Sequence, residues 1–378
     1  MGAMQLPVVP VDVIAKRAGE VDAEGRFPIE ALDALREAGL FGLLVPGDCG
    51  GLGAGLADAA GVVERVAGAC GSSGMVLTMH LAATQTLVGG RGSSTRIDHA
   101  LAEIAGGTCL ATLAYSERGS RSHFWSPVSR AVLGSAEARV DADKSWVTSA
   151  GHADQYVVSV GLDSPDDPLA SDLYLVPGDA PGFEVSGAFD GLGLRGNASA
   201  PMTLRGVELA EDQRLGDAGG GFGLMLSATL PVFVVCSAAC AVGLAGAAVD
   251  AAATHASGAR FEHLGASLAD LPVVRARIAA AKVKHMQARA LLYEVAGQLD
   301  AGAPEAQLGV LAVKAAAAEM ALDVTSEAMR VGGGAAFSRQ LPLERLFRDA
   351  RAASVMAPTT DLLYEFIGKA VTGQEVFA

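Results

Sequence analysis

Tyr115-Ser116-Glu117-Arg118-Gly119-Ser120-Arg121-Ser122, and after it Lys144-Ser145-Trp146-Val147-Thr148-Ser149, are the segments on which the reading of this chain turns. Both are rich in small hydroxyl side chains, and the second carries one tryptophan. They lie among short apolar runs: Ala131-Val132-Leu133, Val157-Val158-Ser159-Val160, Leu173-Tyr174-Leu175-Val176 and Phe183-Glu184-Val185. Gly, Pro, Asp and Ser separate the runs, the signature of antiparallel strands joined by turns. Hydroxyls and backbone donors on loops between strands can hold a pyrophosphate and a flat ring without adding net charge. Each piece alone reads as a surface turn. Taken in order with Gly193-Leu194-Arg195-Gly196, Gly332-Gly333-Gly334 and Leu341 to Arg351, they point to a cofactor cradle.

Outward from this β region the pattern is helical on both sides. Phe27-Pro28 opens a segment with apolar Ile29, Leu32 and Leu35 that ends at Gly39, and a later helix carries Val62, Val63 and Val66. Towards the C-terminus, Val274, Ile278, Ala281, His285, Ala288, Leu292, Val295 and Leu299 alternate steps of four and three, a stripe for helix–helix packing. An Ala-rich helix from about Leu308 to Met329 is expected to stop at Gly332-Gly333-Gly334, and a last helix covers roughly Thr360 to Ala370. The fold class expected is α+β, mainly α. It comprises a helical domain (1–110), an antiparallel β-domain (111–215) and a C-terminal four-helix bundle (216–378).

Composition narrows the function. The chain of 378 residues is 51% apolar with few aromatics, which suits closely packed helices around a large core. A net charge of −14 without a Lys/Arg cluster argues against nucleic acid as a partner. Cys49, Cys70, Cys109, Cys236 and Cys240 are odd in number and lack Cys-x-x-Cys spacing, so neither a disulfide framework nor a zinc site is expected. The opening Met-Gly-Ala-Met has no signal-peptide pattern, and a cytoplasmic protein is expected. Ala218 to Val249 carries no charge and is long enough to cross a bilayer. Pro231 interrupts it and no basic cluster flanks it, so a helix buried within an oligomer is expected instead of a membrane span.

Several apparent motifs carry no chemistry. Gly191-Leu192-Gly193-Leu194-Arg195-Gly196 matches the dinucleotide fingerprint, but a strand (Met202 to Leu209) follows it where a helix is required, so it reads as a turn. No His/Cys/Asp/Glu cluster has metal-ligand spacing, and no Gly-x-Ser-x-Gly elbow exists. His285, on an apolar helix face, reads as a buried, hydrogen-bonded histidine.

In combination, these segments resemble the acyl-CoA dehydrogenase superfamily over nearly the whole chain. Gly39 to Gly53 resembles the family's N-terminal helical domain, and Ser116 to His123 sits where the family has Thr-Glu-Pro-Gly-x-Gly-Ser-Asp. The resemblance implies FAD as cofactor, held by Tyr115 and Ser116 at the flavin ring and by Ser122 at the phosphate. Arg118, Arg121 and His123 depart from the family pattern. Lys144 to Ala150 resembles the Lys-x-Trp-Ile-Thr-Asn strand, placing Trp146 beside the isoalloxazine and Thr148 near its N5. Gly333 and Gly334 match the pair through which a neighbouring subunit meets FAD, which implies a homo-oligomer, a dimer or tetramer. Thr359 and Asp361 match the last cofactor motif, and the Arg-x-x-Phe-Gly motif is degraded to Gly265 and Leu268, with Arg260 one residue out of place.

The resemblance also exposes a gap. Dehydrogenases of the family take the substrate α-proton with a glutamate, and Ala357 stands at its position, followed by Pro358. Some relatives place the base on the earlier long helix; counting back from Gly243, that position falls on Phe233 or Val234. A positioned base is worth about 10²–10⁴ in rate, so ordinary dehydrogenation is disfavoured. The leading expectation is a flavin oxygenase using dioxygen on a small or acyl-thioester substrate. It needs a dry pocket and a hydrogen-bond donor, for which Ser116, His123 and Ser149 are the candidates. The alternatives are a dehydrogenase with a base on the last helix, Asp361 or Glu365, and a non-catalytic scaffold. Phe233 hints at a compact substrate.

Overall fold

The computed structural model describes residues 6–121, 123–133, 137–164, 167 and 169–376. Five helices come first: α1 (Val11–Glu24), α2 (Ile29–Glu37), α3 (Leu56–Ala69), α4 (Gly71–Gly89) and α5 (Thr95–Ala105). In α2 the buried positions are Ala31, Leu32 and Leu35, whereas Ile29 points outwards and is 54% exposed, because the first helical turn overhangs the core. Helix α4 is buried on nearly every side, from Gly71 to Leu87. Its His80 uses both ring nitrogens: Nδ1 accepts from Ala111 N (3.1 Å) and Nε2 lies 3.1 Å from the Phe41 carbonyl, so the helix is bolted to the first strand.

The β region holds β1 (Ala111–Ala114), β2 (Ala131–Leu133), β3 (Glu137–Val147), β4 (Gln155–Gly161), β5 (Ser171–Pro177), β6 (Phe183–Val185) and β7 (Ala200–Ala210). They form two sheets, ordered β1-β4-β5 and β2-β3-β7-β6. All pairings are antiparallel except β1 with β4, which run parallel with Leu113 opposite Val157. The chain leaves β1, crosses to the second sheet for β2 and β3, and returns to pair β4 alongside β1. Such a long crossover is what parallel pairing requires. The alternating burial of β3 shows one face on the core and one in solvent. The Lys144-to-Ala150 segment is a strand only as far as Val147. A bulge displaces the register between Lys144 and Val147, Trp146 has φ 57°, and Thr148 to Gly151 form a turn.

The rest is helical apart from a hairpin of β8 (Arg260–Phe261) and β9 (Ala266–Ser267). The helices are α6 (Gly221–Leu224), α7 (Leu230–Gly258), α8 (Pro272–Asp300), α9 (Ala306–Phe337), α10 (Leu343–Ala350), α11 (Ala352–Val355) and α12 (Thr360–Val371). The uncharged stretch is a continuous helical run, Gly221–Gly258, and 89% of its most apolar window is buried. The chain's own α3, α4, α8 and α9 cover it, so burial does not wait for an oligomer. Pro231 does not break it either. Residues Met225–Thr229 form a π turn, which absorbs the missing proline donor just ahead of α7. Close approach explains the small residues: a Cβ on Gly243 would stand 2.2 Å from the Glu64 carbonyl of α3.

The α8 stripe packs as expected, with Ala281, His285, Ala288, Leu292 and Val295 buried. His285 departs from expectation: neither ring nitrogen has a hydrogen-bond partner among the described residues. Its ring faces Gly246 and the Val242 backbone of α7; desolvation dominates and lowers its pKa, against a weak upward pull from Val242 outside hydrogen-bond geometry. As the glycines predict, the regular helix of α9 is interrupted at Gly333 (φ 53°, ψ −137°), and a separate short turn of helix carries on to Phe337.

Candidate active site

A small cavity of ≈ 60 Å³ opens where the β region meets α4 and α7. Its lining residues are Met79, Leu113, Tyr115, Ser116, Phe124, Ser145, Trp146, Thr229, Phe233 and Ala357. They come from six places in the chain, and none is charged. A larger crevice of ≈ 290 Å³ lies by Asp22, Leu192, Arg195, Arg339 and Arg348. There Arg348 is bidentate to Asp22 (2.8 and 2.6 Å) and bonded to Glu344. That crevice is an interdomain ion-pair seam.

The first wall of the cavity is the exit of β1. Ser116 is half-buried, and its carbonyl accepts from Ser145 N (2.8 Å), which lashes the β1 exit to the β3 bulge. The positive φ of Trp146 turns its ring out of the sheet, so that it lines the cavity while 70% of its surface stays exposed. An aromatic face left that open beside a pocket fits a flat ring laid against it.

Beneath this wall is a buried ion pair. Lys144 Nζ donates to Glu117 Oε1 (2.6 Å) and to the Ser159 carbonyl (2.6 Å). Glu117 also accepts from Val128 N (2.7 Å), Ser129 N (2.8 Å) and the Ser129 hydroxyl. These bonds hold the carboxyl below its ordinary range despite burial, and burial pulls the lysine pKa down. The pair pins both ends of the loop that carries Phe124. Phe124 stacks beside Tyr115 (centroids 6.2 Å) and meets Trp125 edge-on (5.1 Å), and Trp125 rests against Phe366 of α12 (5.7 Å).

The opposite wall comes from α7 and the Ala353–Pro358 segment. Thr229 and Phe233 are one helical turn apart and face the same way. Ala357 is positioned by Lys314 on α9, an ammonium 1% exposed that donates to the carbonyls of Ala353 (3.0 Å), Met356 (3.0 Å) and Pro358 (2.8 Å). No anion accompanies it among the described residues, and burial lowers its pKa to about 7.

Of the residues singled out in the sequence, Tyr115, Ser116, Trp146, Phe233 and Ala357 converge on this cavity. His123 is exposed in the loop, with its ring 5.2 Å from Trp125, and does not line the cavity. Ser149 is buried in the turn after β3 with its hydroxyl unpartnered, and Thr148 bonds to Ser199 (3.0 Å); neither lines the cavity. Thr359 caps α12, while Asp361 and Glu365 are exposed on that helix. Gly333 and Gly334 are exposed at the kink of α9, beside Phe337 at 85% exposure. Arg260 is exposed on β8, and Gly265 occupies the hairpin turn with φ 62°. Ser122 lies outside the described residues.

The dinucleotide-like glycines are packing residues. A Cβ on Gly193 would stand 2.4 Å from the Arg348 carbonyl and one on Gly196 2.3 Å from Val21. Leu194 N donates to the buried Asp349 (2.6 Å), whose pKa burial raises to about 6. Sequence reasoning missed Lys144–Glu117 as a pair, Lys314, Thr229 and Phe124. Lys314 had a legible signal: a lone charge on the apolar side of an Ala-rich helix.

Family models describing the acyl-CoA dehydrogenase N-terminal, middle and C-terminal domains match residues 11–108, 112–207 and 219–372. The chain belongs to the acyl-CoA dehydrogenase superfamily. A probable acyl-CoA dehydrogenase of Mycobacterium tuberculosis is 29% identical over 349 residues, covering 92% of this chain and 89% of the relative. Butyryl-CoA dehydrogenase from Megasphaera elsdenii shares the fold with a TM-score of 0.89 at 22% identity, over 98% of this chain and 100% of that one. An FAD complex of PigA does so with a TM-score of 0.87 at 20% identity, over 96% and 94%. As a member of the superfamily the chain is a flavin-dependent oxidoreductase, and FAD is its cofactor. The open face of Trp146, with the hydroxyls of Ser116 and Ser145 beside it, suits the ring of that cofactor.

Proposed function

We propose that this acyl-CoA dehydrogenase superfamily member is a flavin oxygenase: it passes electrons to dioxygen and oxygenates a small substrate, without stripping an α-proton with a carboxylate. One observation carries the reading. Of the positions at which the family resemblance puts a catalytic base, Ala357 and Phe233 line the same cavity, Val234 does not, and no acid is among the described residues that line it. FAD, when bound, supplies a two-electron acceptor and, once reduced, a source of electrons for oxygen. The chain's own contribution is a dry wall of Met79, Leu113, Phe124, Phe233 and Ala357 that excludes water. Trp146 would carry the ring, and of the three candidate donors Ser116 lines the cavity, with the Ser145 hydroxyl beside it. His123 and Ser149 do not share that place.

The second reading, a dehydrogenase with a relocated base, loses ground because Asp361 and Glu365 are exposed and line no part of the cavity. No observation favours a scaffold without catalysis. We further propose that the protein works as a homo-oligomer, with Gly333, Gly334 and exposed Phe337 in the contact, and in the cytoplasm, where its free cysteines suit a reducing milieu.

The test is anaerobic reduction of the holoenzyme followed by mixing with ¹⁸O-labelled dioxygen in the presence of candidate substrates. Label in an organic product supports oxygenation. Flavin bleaching by a short acyl-CoA without oxygen, with hydrogen peroxide alone after air, refutes it.

A further inference from the structure

Tyr115 and Thr229, both in the cavity lining, belong to a chain of hydroxyls whose protons can be counted. Thr86 Oγ1 donates to the Ala82 carbonyl one turn back (2.8 Å). A hydroxyl has one proton to give, so at its 2.7 Å contact with Thr229 Oγ1, Thr86 accepts and Thr229 donates. Thr229 has then spent its own proton. At the 3.3 Å contact with Tyr115 Oη, Tyr115 is the donor. Three hydroxyls therefore point their protons one way, from Tyr115 through Thr229 and Thr86 to the Ala82 carbonyl. The phenolic oxygen, on a residue 5% exposed, is left with lone pairs and no free proton. Burial raises the phenol pKa, so this proton is not surrendered.

Size and charge add two further limits. Phe124 and Phe233, 6% and 8% exposed, bound the space, and Trp125 against Phe366 braces Phe124 from behind. With Trp146, Ser116 and Ser145 on the flavin's side, the space beside Phe124, Phe233 and Tyr115 is only part of the ≈ 60 Å³ cavity, far below the ~300–1,000 Å³ of common ligand pockets. With no charged lining residue, an ionised ligand would lose its hydration and gain no partner.

We propose that the cavity takes a compact, uncharged molecule that carries an N–H or O–H group, which donates to Tyr115 Oη, and that Phe124 and Phe233 set its upper size. This rests on the cavity being the flavin-side substrate site proposed above and names the substrate class of that site. Tyr115 and the two phenylalanines are specificity-determining residues in it.

The experiment is equilibrium titration of the oxidised, anaerobic holoenzyme with three ligands of one shape: propionamide, butanone and propionate. Binding is read by flavin difference spectra and by calorimetry. Propionamide is expected to bind about tenfold more tightly than butanone, the factor of one net hydrogen bond, and propionate not to bind detectably. Tyr115→Phe should abolish the preference for the amide and leave butanone affinity within about twofold. Phe124→Ala and Phe233→Ala should each admit benzamide, which the unaltered protein excludes. Equal affinity for amide and ketone, or tighter binding of propionate or butyryl-CoA than of propionamide, overturns the proposal. The trio is measured on the unaltered protein, so a variant that fails to fold leaves the test intact. Since binding needs no oxygen, failure of the oxygenase reading appears separately, as amide binding without labelled product.

Discussion

Replacing Lys314 with methionine removes the ammonium and keeps most of the stem. Three buried carbonyls, those of Ala353, Met356 and Pro358, then lose their donor. A buried polar group left unpaired costs roughly 1–3 kcal/mol, so the gross loss is ~3–9 kcal/mol. Against it stands the desolvation of a lone buried cation, several kcal/mol that the variant no longer bears. Swaps of buried charge for apolar side chains are neutral where both partners are replaced. Here the acceptors are backbone and stay. The carbonyl term therefore wins, with a net loss of ~2–4 kcal/mol and a fall of about 3–5 °C in Tm. Denaturant unfolding gives the first number, and hydrogen exchange at residues 352–358 should quicken in the variant before the core opens.

A pH signature accompanies this loss. With the folded pKa lowered from 10.5 to about 7, the unfolded chain binds more protons between those values, so the unaltered protein gains stability as pH rises through that window. The methionine variant lacks that slope, and the gap between the two proteins should widen from pH 7 towards pH 10. An unchanged unfolding midpoint together with unchanged exchange at 352–358 would refute the reasoning.

Other perturbations should separate equally well. His80 has a pKa lowered from 6.5 to about 4 by burial, so the unfolded state takes up its proton first and stability falls by ~3 kcal/mol as pH drops from 6.5 to 4; NMR should show no titration of its ring near pH 6. Glu117→Gln leaves Lys144 buried without its anion and should cost about 3–5 kcal/mol, with Lys144→Met added to it recovering part, as unfolding of the double variant would show. Gly333→Ala meets no atom within 4 Å, so its cost is backbone strain alone, ~1–3 kcal/mol at φ 53°, ψ −137°, and analytical ultracentrifugation should show weakened self-association. Glu365→Gln alters an exposed side chain away from the cavity, and turnover should stay within about twofold; loss of a factor of 10² or more would restore the relocated-base reading.

How much of this was legible in the sequence depends on the range of the interaction involved. The periodic stripe of α8, the short β runs and the buried character of α7 are local patterns, and the chain folds as they indicate. Local signals misled where tertiary packing overrides them. Pro231 reads as a break, yet a π turn accommodates it. The parallel pairing of β1 with β4 was invisible, since no residue pattern encodes which distant strand lies alongside.

By itself, the order of residues determined the helical and strand segments, the absence of an acid at positions 233 and 357, and the hydroxyl-rich loops beside one tryptophan. Only the tertiary structure decided that Ala357 and Phe233, far apart in the chain, share one cavity with Tyr115, and that His123, Ser149 and Asp361 stand outside it. It alone decided that Lys314 spends its charge on three carbonyls. The reason is physical. Propensity and periodicity act over a few residues, whereas a cavity's shape and the direction of its protons are set by side chains that meet only once the core has closed.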